Sequence, residues 1–240
     1  MISLITDPQL PLKYFADEFL MTKIRANLLS YGTECGFLDL WYQWLENSVA
    51  AIICKFEQSV IIVAEKNADF DEIKEFLEVI GFENIQAEPF ILEILGFEFT
   101  EYQVVFKESE KGGFLPEMPN IKAVYDLLYG EENPHITKSD FEGFYVDLSH
   151  RIRHNTATAV LGESAVCVAS HLTDTAAVIS GVVTKKANRK SGLGSLVLKG
   201  LVESLNGRKV FAAAESLVVP VYIKNGFKKC GKTAIYNIEE

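Results

Sequence analysis

The 240-residue chain lacks several things that would place it in a special class. Its four cysteines, Cys35, Cys54, Cys167 and Cys230, lie far apart and form no Cys-x-x-Cys or Cys/His spacing. Neither a disulfide framework nor a structural zinc site is written in them, and no metal is expected. Cys54 and Cys167 sit in apolar runs, where a thiol behaves as a small hydrophobe, and a reducing compartment suits all four. No apolar run approaches the roughly 20 residues of a bilayer span. The first residues, Met1-Ile-Ser-Leu-Ile-Thr-Asp-Pro8, lack the basic and apolar blocks of a secretory leader. A cytoplasmic location without a membrane partner is the expectation. Positive charge is scarce in one half only. Residues 1–120 hold 8 Lys+Arg against 21 Asp+Glu, and residues 121–240 hold 15 against 12, giving −13 and +3 within the net −10. Such asymmetry suggests two units with different tasks, and so acidic a first half argues against nucleic acid as a partner.

What is present is an alternation of helical and strand patterns, given twice. In the first half a helix is expected from about Leu12 to Leu29. Strands follow at Gly36–Leu45, Val49–Lys55 and Val60–Ala64, then a helix capped by Asp69 or Asp71 and running through Ile80. Asn84–Glu88 reads as a strand, Pro89–Leu95 as a short helix and Phe97–Phe106 as a strand. Residues 111–120, with Gly112, Gly113, Pro116 and Pro119, read as a linker between domains 1–110 and 121–240. The second half runs helices at Ile121–Tyr129 and Lys138–Arg153, then strands at Thr156–Gly162, Ala165–His171 and Thr175–Thr184. A helix at Gly194–Leu205, a strand at Lys209–Ala214, a short helix at Leu217–Asn225 and a terminal hairpin at Phe227–Ile238 complete it. The fold class is mixed α/β, with a mostly antiparallel sheet flanked by helices. No residue-level repeat is visible, but the shared order of elements points to two related folds in tandem.

The segment after the third strand of the second half carries the chemistry. Val182-Val-Thr184 ends an apolar run, a basic loop follows, and Arg189-Lys-Ser-Gly-Leu-Gly-Ser195 opens a helix. Backbone N–H groups at a helix start have no intrahelical partner, and the helix dipole adds positive potential there. Glycines at 192 and 194 let that backbone approach an anion closely. Lys185, Lys186, Arg189, Lys190, Arg208, Lys209, Lys224, Lys228, Lys229 and Lys232 gather in the same half. As single residues they are surface solvation; as a group they favour an anion. A dinucleotide-binding βαβ unit fits poorly, because the glycine loop would follow a first strand rather than several antiparallel ones.

A second signature, Tyr222-Ile-Lys-Asn-Gly-Phe227, lies in the short helix that follows the next apolar strand. Together these two motifs, from about Asp140 to the C-terminus, resemble the GNAT superfamily of acetyl-CoA-dependent N-acetyltransferases. The resemblance implies a pyrophosphate cradle of Arg189, Lys190, Ser191, Gly192, Leu193, Gly194 and Ser195. It implies a pantetheine-facing strand edge at Val182, Val183 and Thr184, and Tyr222 as the acid that protonates the departing thiolate. It implies acetyl-CoA as acyl donor and a small-molecule or peptide amine as acceptor; the oligomeric state, monomer or homodimer, stays open. The phenol and a thiol leaving group have comparable proton affinities, so such a transfer is nearly balanced.

Two positions depart from the family pattern. Lys190 stands where many relatives have glycine, and Glu215 where many have asparagine. The acceptor-side strand carries no acid, so the general base is not assigned. Asp174 reads first as a turn residue, His150 and His154 with Arg151 and Arg153 as a polar set compensating a helix end, His171 as a structural strand end, and water is the remaining route. The first half has no glycine loop and reads as a degenerate GNAT-like domain. Its Trp41 should face away from Tyr42 and Trp44. The alternative to an enzyme is a CoA-binding or regulatory module without turnover.

Overall fold

The computed structural model describes residues 1–5, 15, 18–46, 48–130 and 140–238, and the chain divides into two compact units. Unit 1 comprises Met1–Val104 and Gly231–Glu240, and unit 2 comprises Val105–Cys230.

Unit 1 contains β1 (Ile2–Leu4), α1 (Glu18–Tyr31), β2 (Leu38–Leu45), β3 (Ser48–Phe56), β4 (Ser59–Ala64), α2 (Phe70–Ile80), β5 (Asn84–Ala87) and α3 (Pro89–Leu95). Strands β1 to β4 pair antiparallel in chain order, whereas β4 and β5 pair parallel, from Ser59↔Asn84 to Ile61↔Gln86. The strong apolar stripe of α2 puts Ile73 and Leu77 into a core with Ile53, Val60, Ile62, Ile85, Ile91, Leu92 and Leu95. Asp69 caps that helix by accepting the Glu72 N–H at 3.0 Å. Trp41 packs edge-on against Phe76 while Tyr42 meets Trp44 on the opposite face, as alternation requires. The helix expected from Leu12 begins at Glu18 among the described residues; most of its earlier part lies outside them.

β6 (Thr100–Glu108) leads into unit 2, which contains α4 (Ile121–Tyr129), α5 (Phe141–Arg153), β7 (Thr158–Leu161), β8 (Ala165–Leu172), β9 (Ala176–Thr184), a 3₁₀ turn at Lys186–Asn188, α6 (Leu193–Ser204), β10 (Lys209–Ala214) and α7 (Val219–Lys224). β7, β8 and β9 form an antiparallel meander, and β10 pairs parallel with β9. One face of this sheet buries Cys167, Ala169, Leu172, Ala177 and Ile179 beneath α6 and α7, against Leu198, Leu201 and Val202. Each leucine, isoleucine or valine among them contributes about 1.5–3 kcal/mol on burial, which settles the roll of α6 on the sheet. The other face buries Val166, Val168 and Val183 beneath Val124, Leu127 and Leu128 of α4.

Two boundaries differ from the sequence reading. The terminal hairpin at 227–238 is a single strand, β11 (Lys228–Asn237), whose end pairs antiparallel with β5 from Ala234↔Ala87 to Asn237↔Asn84. Residues 231–240 therefore belong to unit 1 rather than to the second domain. The division also falls inside β6, between Val104 and Val105, and not in 111–120. The supposed linker is held within unit 2: Gly112 N–H donates to Asn206 Oδ1 at 2.8 Å, and Gly207 N–H to Glu110 O at 2.9 Å. A side chain at Gly113 would strike the Glu203 carbonyl, so the glycine there serves close packing on α6 as well as a turn.

Candidate functional site

All of the candidate site residues fall in unit 2. The parallel ladder between β9 and β10 runs from Ala176↔Lys209 to Ile179↔Ala212 and stops. β9 continues to Thr184 and β10 to Ala214, so the two strands part company, and one edge of β9 is left unpaired over Val182–Thr184. Its other edge stays on β8 through Thr184↔Ala165. Lys185 N–H donates to Ser164 O at 2.9 Å, and backbone groups alternate sides along an antiparallel ladder. Val183 therefore bonds toward β8, and the N–H and C=O of Val182 and Thr184 point to the open edge. The Thr184 carbonyl agrees, since it accepts from Arg189 Nε at 3.3 Å. Val182 packs with the α6-side core and Val183 is buried on the α4 side.

The loop that follows is built around two left-handed residues. Lys190 has φ 67° and Gly192 has φ 88°. Glycine adopts that backbone freely; lysine pays about 1–2 kcal/mol for it, which is the physical content of the departure at 190. Gly192 is the N-cap of α6 and offers no side-chain cap. The first N–H donating back to the cap is that of Leu196, to Gly192 O at 3.0 Å, so the amides of Leu193, Gly194 and Ser195 have no partner inside the helix. Arg189, Lys190, Ser191 and Gly192 are exposed, and a Cβ on Gly192 would meet nothing within 4 Å. Gly194 has a different reason: a Cβ there would lie 3.0 Å from Thr184 Oγ1, so glycine lets the helix start close onto the end of β9. Ser191 Oγ donates to Asn188 O within the turn.

Tyr222 comes from α7 and is buried in the core beneath the fork. Its neighbour there is Cys167, which stands opposite Val182 in the β8–β9 register. Burial raises the phenol above its ordinary value of 10, and the Cys167 thiol pushes it in the same direction. Burial alone raises the Cys167 thiol. Tyr222 therefore holds its proton throughout the neutral range. The Gly-Phe of its motif ends the helix. Gly226 at φ 87° turns the chain, Phe227 N–H donates to Tyr222 O at 3.1 Å, and the Phe227 ring packs edge-on against Tyr222 at 5.3 Å. One contact had no signal in the sequence. Asn225 Nδ2 donates to Ser195 Oγ at 3.1 Å and ties the end of α7 to the start of α6 across 30 residues.

The other candidates are placed apart. Arg151 is turned inward and pairs with Asp147 at 2.8 Å, so it is not a solvated helix-end cation. His150 and His154 stack on one another at 4.1 Å, and His154 Nδ1 lies 2.9 Å from His150 O. Glu215, just past β10, accepts the Val218 and Val219 amides on its carbonyl and so starts the turn into α7. Among the described residues no cluster of three or more His, Cys, Asp and Glu is placed to hold a metal ion, and no helix is long and apolar enough to cross a membrane.

No family model matches the sequence, and no curated protein does. Solved structures do. A GCN5-related N-acetyltransferase from Sphaerobacter thermophilus is similar over 91% of this chain and 85% of its own, with TM-score 0.59 and 14% identity. A tandem GNAT protein from the clavulanic acid biosynthesis pathway is similar over 100% and 98%, with TM-score 0.55 and 11% identity. A GNAT-family acetyltransferase from Colwellia psychrerythraea matches over the full length of both chains, with TM-score 0.51 and 11% identity. At such identities the likeness establishes the fold. The chain has the GNAT fold, in the tandem form that its repeated order of elements anticipates.

Proposed function

We propose that unit 2 is an acetyl-CoA-dependent N-acetyltransferase that passes the acetyl group directly to a primary amine, and that unit 1 is a GNAT-like domain without a cofactor site. One observation carries this reading: an uncapped helix start, a parted strand pair and a buried tyrosine meet at one place. The residues fit the cofactor. Amides of Leu193, Gly194 and Ser195, with Arg189 and Lys190 beside them, match a pyrophosphate. The open edge of Val182 and Thr184 matches the amide-bearing pantetheine arm, which pairs as a strand would. Acetyl-CoA supplies the activated acyl group.

The chain's own residues do the rest. N–H groups of the β9 edge are fixed dipoles for the thioester carbonyl, and fixed donors in a dry site stabilise developing charge at little reorganisation cost. Tyr222 gives its proton to the departing thiolate. The burial that raises the phenol would also raise the thiolate's proton affinity in the same pocket, so the match between donor and acceptor is kept. Calorimetric titration with acetyl-CoA tests the first step, and absence of binding would end this reading. Tyr222→Phe tests the second: kcat across a panel of amines should fall by roughly 10²–10⁴ while acetyl-CoA affinity is unchanged.

Glu215 supports a second reading, a CoA-binding module without turnover, because it is an acid in the sequence directly after β10, where many relatives of the resembled family have asparagine. Tight acetyl-CoA binding with no CoA release in the presence of any amine would favour it.

A further inference from the structure

α7 is six residues long, Val219–Lys224, and no side chain caps its start. A helix of that length is not stable by itself, so its place is set by what holds its ends. Asn225 holds the last turn. Its backbone N–H donates to Tyr222 O at 2.9 Å, and its side-chain Nδ2 donates to Val221 O at 2.8 Å. Its carbonyl accepts from Lys107 Nζ of β6 at 2.9 Å. The same Nδ2 donates to Ser195 Oγ at 3.1 Å. A carbonyl can only accept, so the nitrogen of the side-chain amide must be the atom that faces Val221 O. Its second hydrogen then goes to Ser195, whose oxygen is the acceptor.

That direction leaves Ser195 with a hydrogen to give. Serines in helices commonly return it to a carbonyl three or four residues back. Ser149 does so to Tyr145 O, and Ser204 to Leu201 O at 2.7 Å. Among the described residues Ser195 makes no such bond. It is half-buried in the first turn of α6, and helical side chains lean toward the N-terminus. Its O–H is therefore on the side where the amides of Leu193, Gly194 and Ser195 are open. One hydroxyl serves both parts of the site: it accepts from the residue that closes α7, and it has a hydrogen for an anion at the start of α6. Bonds in such a chain strengthen one another, because a hydroxyl that donates to an anion becomes a better acceptor.

We propose that Asn225 is a positioning residue that couples occupation of the α6 start to Tyr222, and that through it the chain prefers acyl donors carrying the CoA pyrophosphate over shorter pantetheine thioesters. This rests on the acetyl-transfer reading above. A donor with the pyrophosphate draws the Ser195 hydrogen, firms the Asn225 bond and fixes the last turn of α7, which carries the phenol. A pantetheine thioester reaches the β9 edge but gives Ser195 no such acceptor, so the phenol is held less well. Binding energy from a group remote from the reacting carbon is then used in the chemical step, and it shows in kcat rather than in KM alone.

The test compares acetyl-CoA with S-acetylpantetheine as saturating donors, following thiol release across a panel of primary amines. The wild type should turn over acetyl-CoA about fivefold faster, the worth of roughly one neutral hydrogen bond. Asn225→Ala should lower kcat for acetyl-CoA about fivefold and that for acetylpantetheine less than about twofold, so that the two donors become equal. Ser195→Ala should equalise the donors too, and since alanine is the best helix former it keeps a readout should the first variant fold poorly. A second measurement needs no acceptor. Hydrogen exchange of the α7 segment should slow when CoA binds the wild type, and not when it binds Asn225→Ala. An equal loss with both donors means a structural role and overturns the assignment, as does an Asn225→Ala protein that keeps the donor preference or the CoA-induced protection. A wild type that shows the protection yet releases no thiol with any amine removes the transfer reading and keeps the coupling; one that shows no protection removes the coupling.

Discussion

In unit 1, β4 leads through five residues into α2; in unit 2, β9 leads through eight into α6. Both strands have just left a parallel partner, β4 after Ile61↔Gln86 and β9 after Ile179↔Ala212. The two helix starts are then finished in opposite ways. Asp69 caps α2 with its own carboxylate, and Glu72 in the first turn accepts the Ile2 N–H at 2.9 Å and the Gln43 side chain at 2.8 Å. An anion arriving there would meet carboxylates where it needs amides. α6 has glycine at its cap, no acid in its first turn and its amides open. The short helices differ likewise. α3 ends on Gly96-Phe97 with Phe97 N–H donating to Leu92 O at 3.0 Å, the same closure that Gly226-Phe227 makes on Tyr222. Leucine stands where unit 2 has its phenol. The order of elements is shared, and on the reading proposed above what separates a site from a structural domain is whether the helix start is satisfied from within or left open.

Copying the cap across would break the distinction most sharply. Gly192→Asp should weaken acetyl-CoA binding at least 100-fold by calorimetry, about 2.7 kcal/mol. A wild-type affinity in that variant would show that the open helix start is not the grip. Asn225→Ala should release α7 from Ser195 and lower kcat/KM about fivefold, the worth of roughly one neutral hydrogen bond, without changing the melting temperature of unit 1. Asp69→Ala works on the other side of the comparison. It should cost unit 1 about 1 kcal/mol in urea denaturation and leave acetyl-CoA affinity alone; an effect on affinity would mean that unit 1 is not silent.

Smaller effects come from the buried acids of unit 2. An unfolded phenol ionises near 10 and an unfolded thiol near 9, while Tyr222 and Cys167 are both raised by burial. The folded protein thus binds more protons than the unfolded chain above those values. Stability should be unaffected below about pH 9 and fall as pH rises beyond it. Urea midpoints between pH 8 and 11 check this, and Tyr222→Phe should flatten part of the slope. Exposed Cys230 should react with a thiol reagent in the native state while Cys54 and Cys167 wait for unfolding.

Much of this was legible because the signals are local. Asp69 before an apolar stripe announces a capped helix, Arg189–Ser195 announces an open one, and Gly226-Phe227 marks where α7 must stop. Helices Pro89–Leu95 and Ile121–Tyr129 and strand Lys209–Ala214 lie at the boundaries their residues suggest. The terminal hairpin failed for a long-range reason: the partner of Ala234 is Ala87, and no nearby residue reveals it. The glycines at 112 and 113 read as a linker because flexible joints and close packing use the same residue.

Composition, caps, glycines and hydrophobic period therefore determined by themselves the order of elements, the fold class and the anion-ready loop, since each depends on neighbours within a few turns of chain. Tertiary structure alone decided where the strands part, that Ser195 and Asn225 meet, and that Tyr222 is dry beside Cys167. Those depend on pairing between segments far apart in sequence, whose registers are set by packing rather than by local preference.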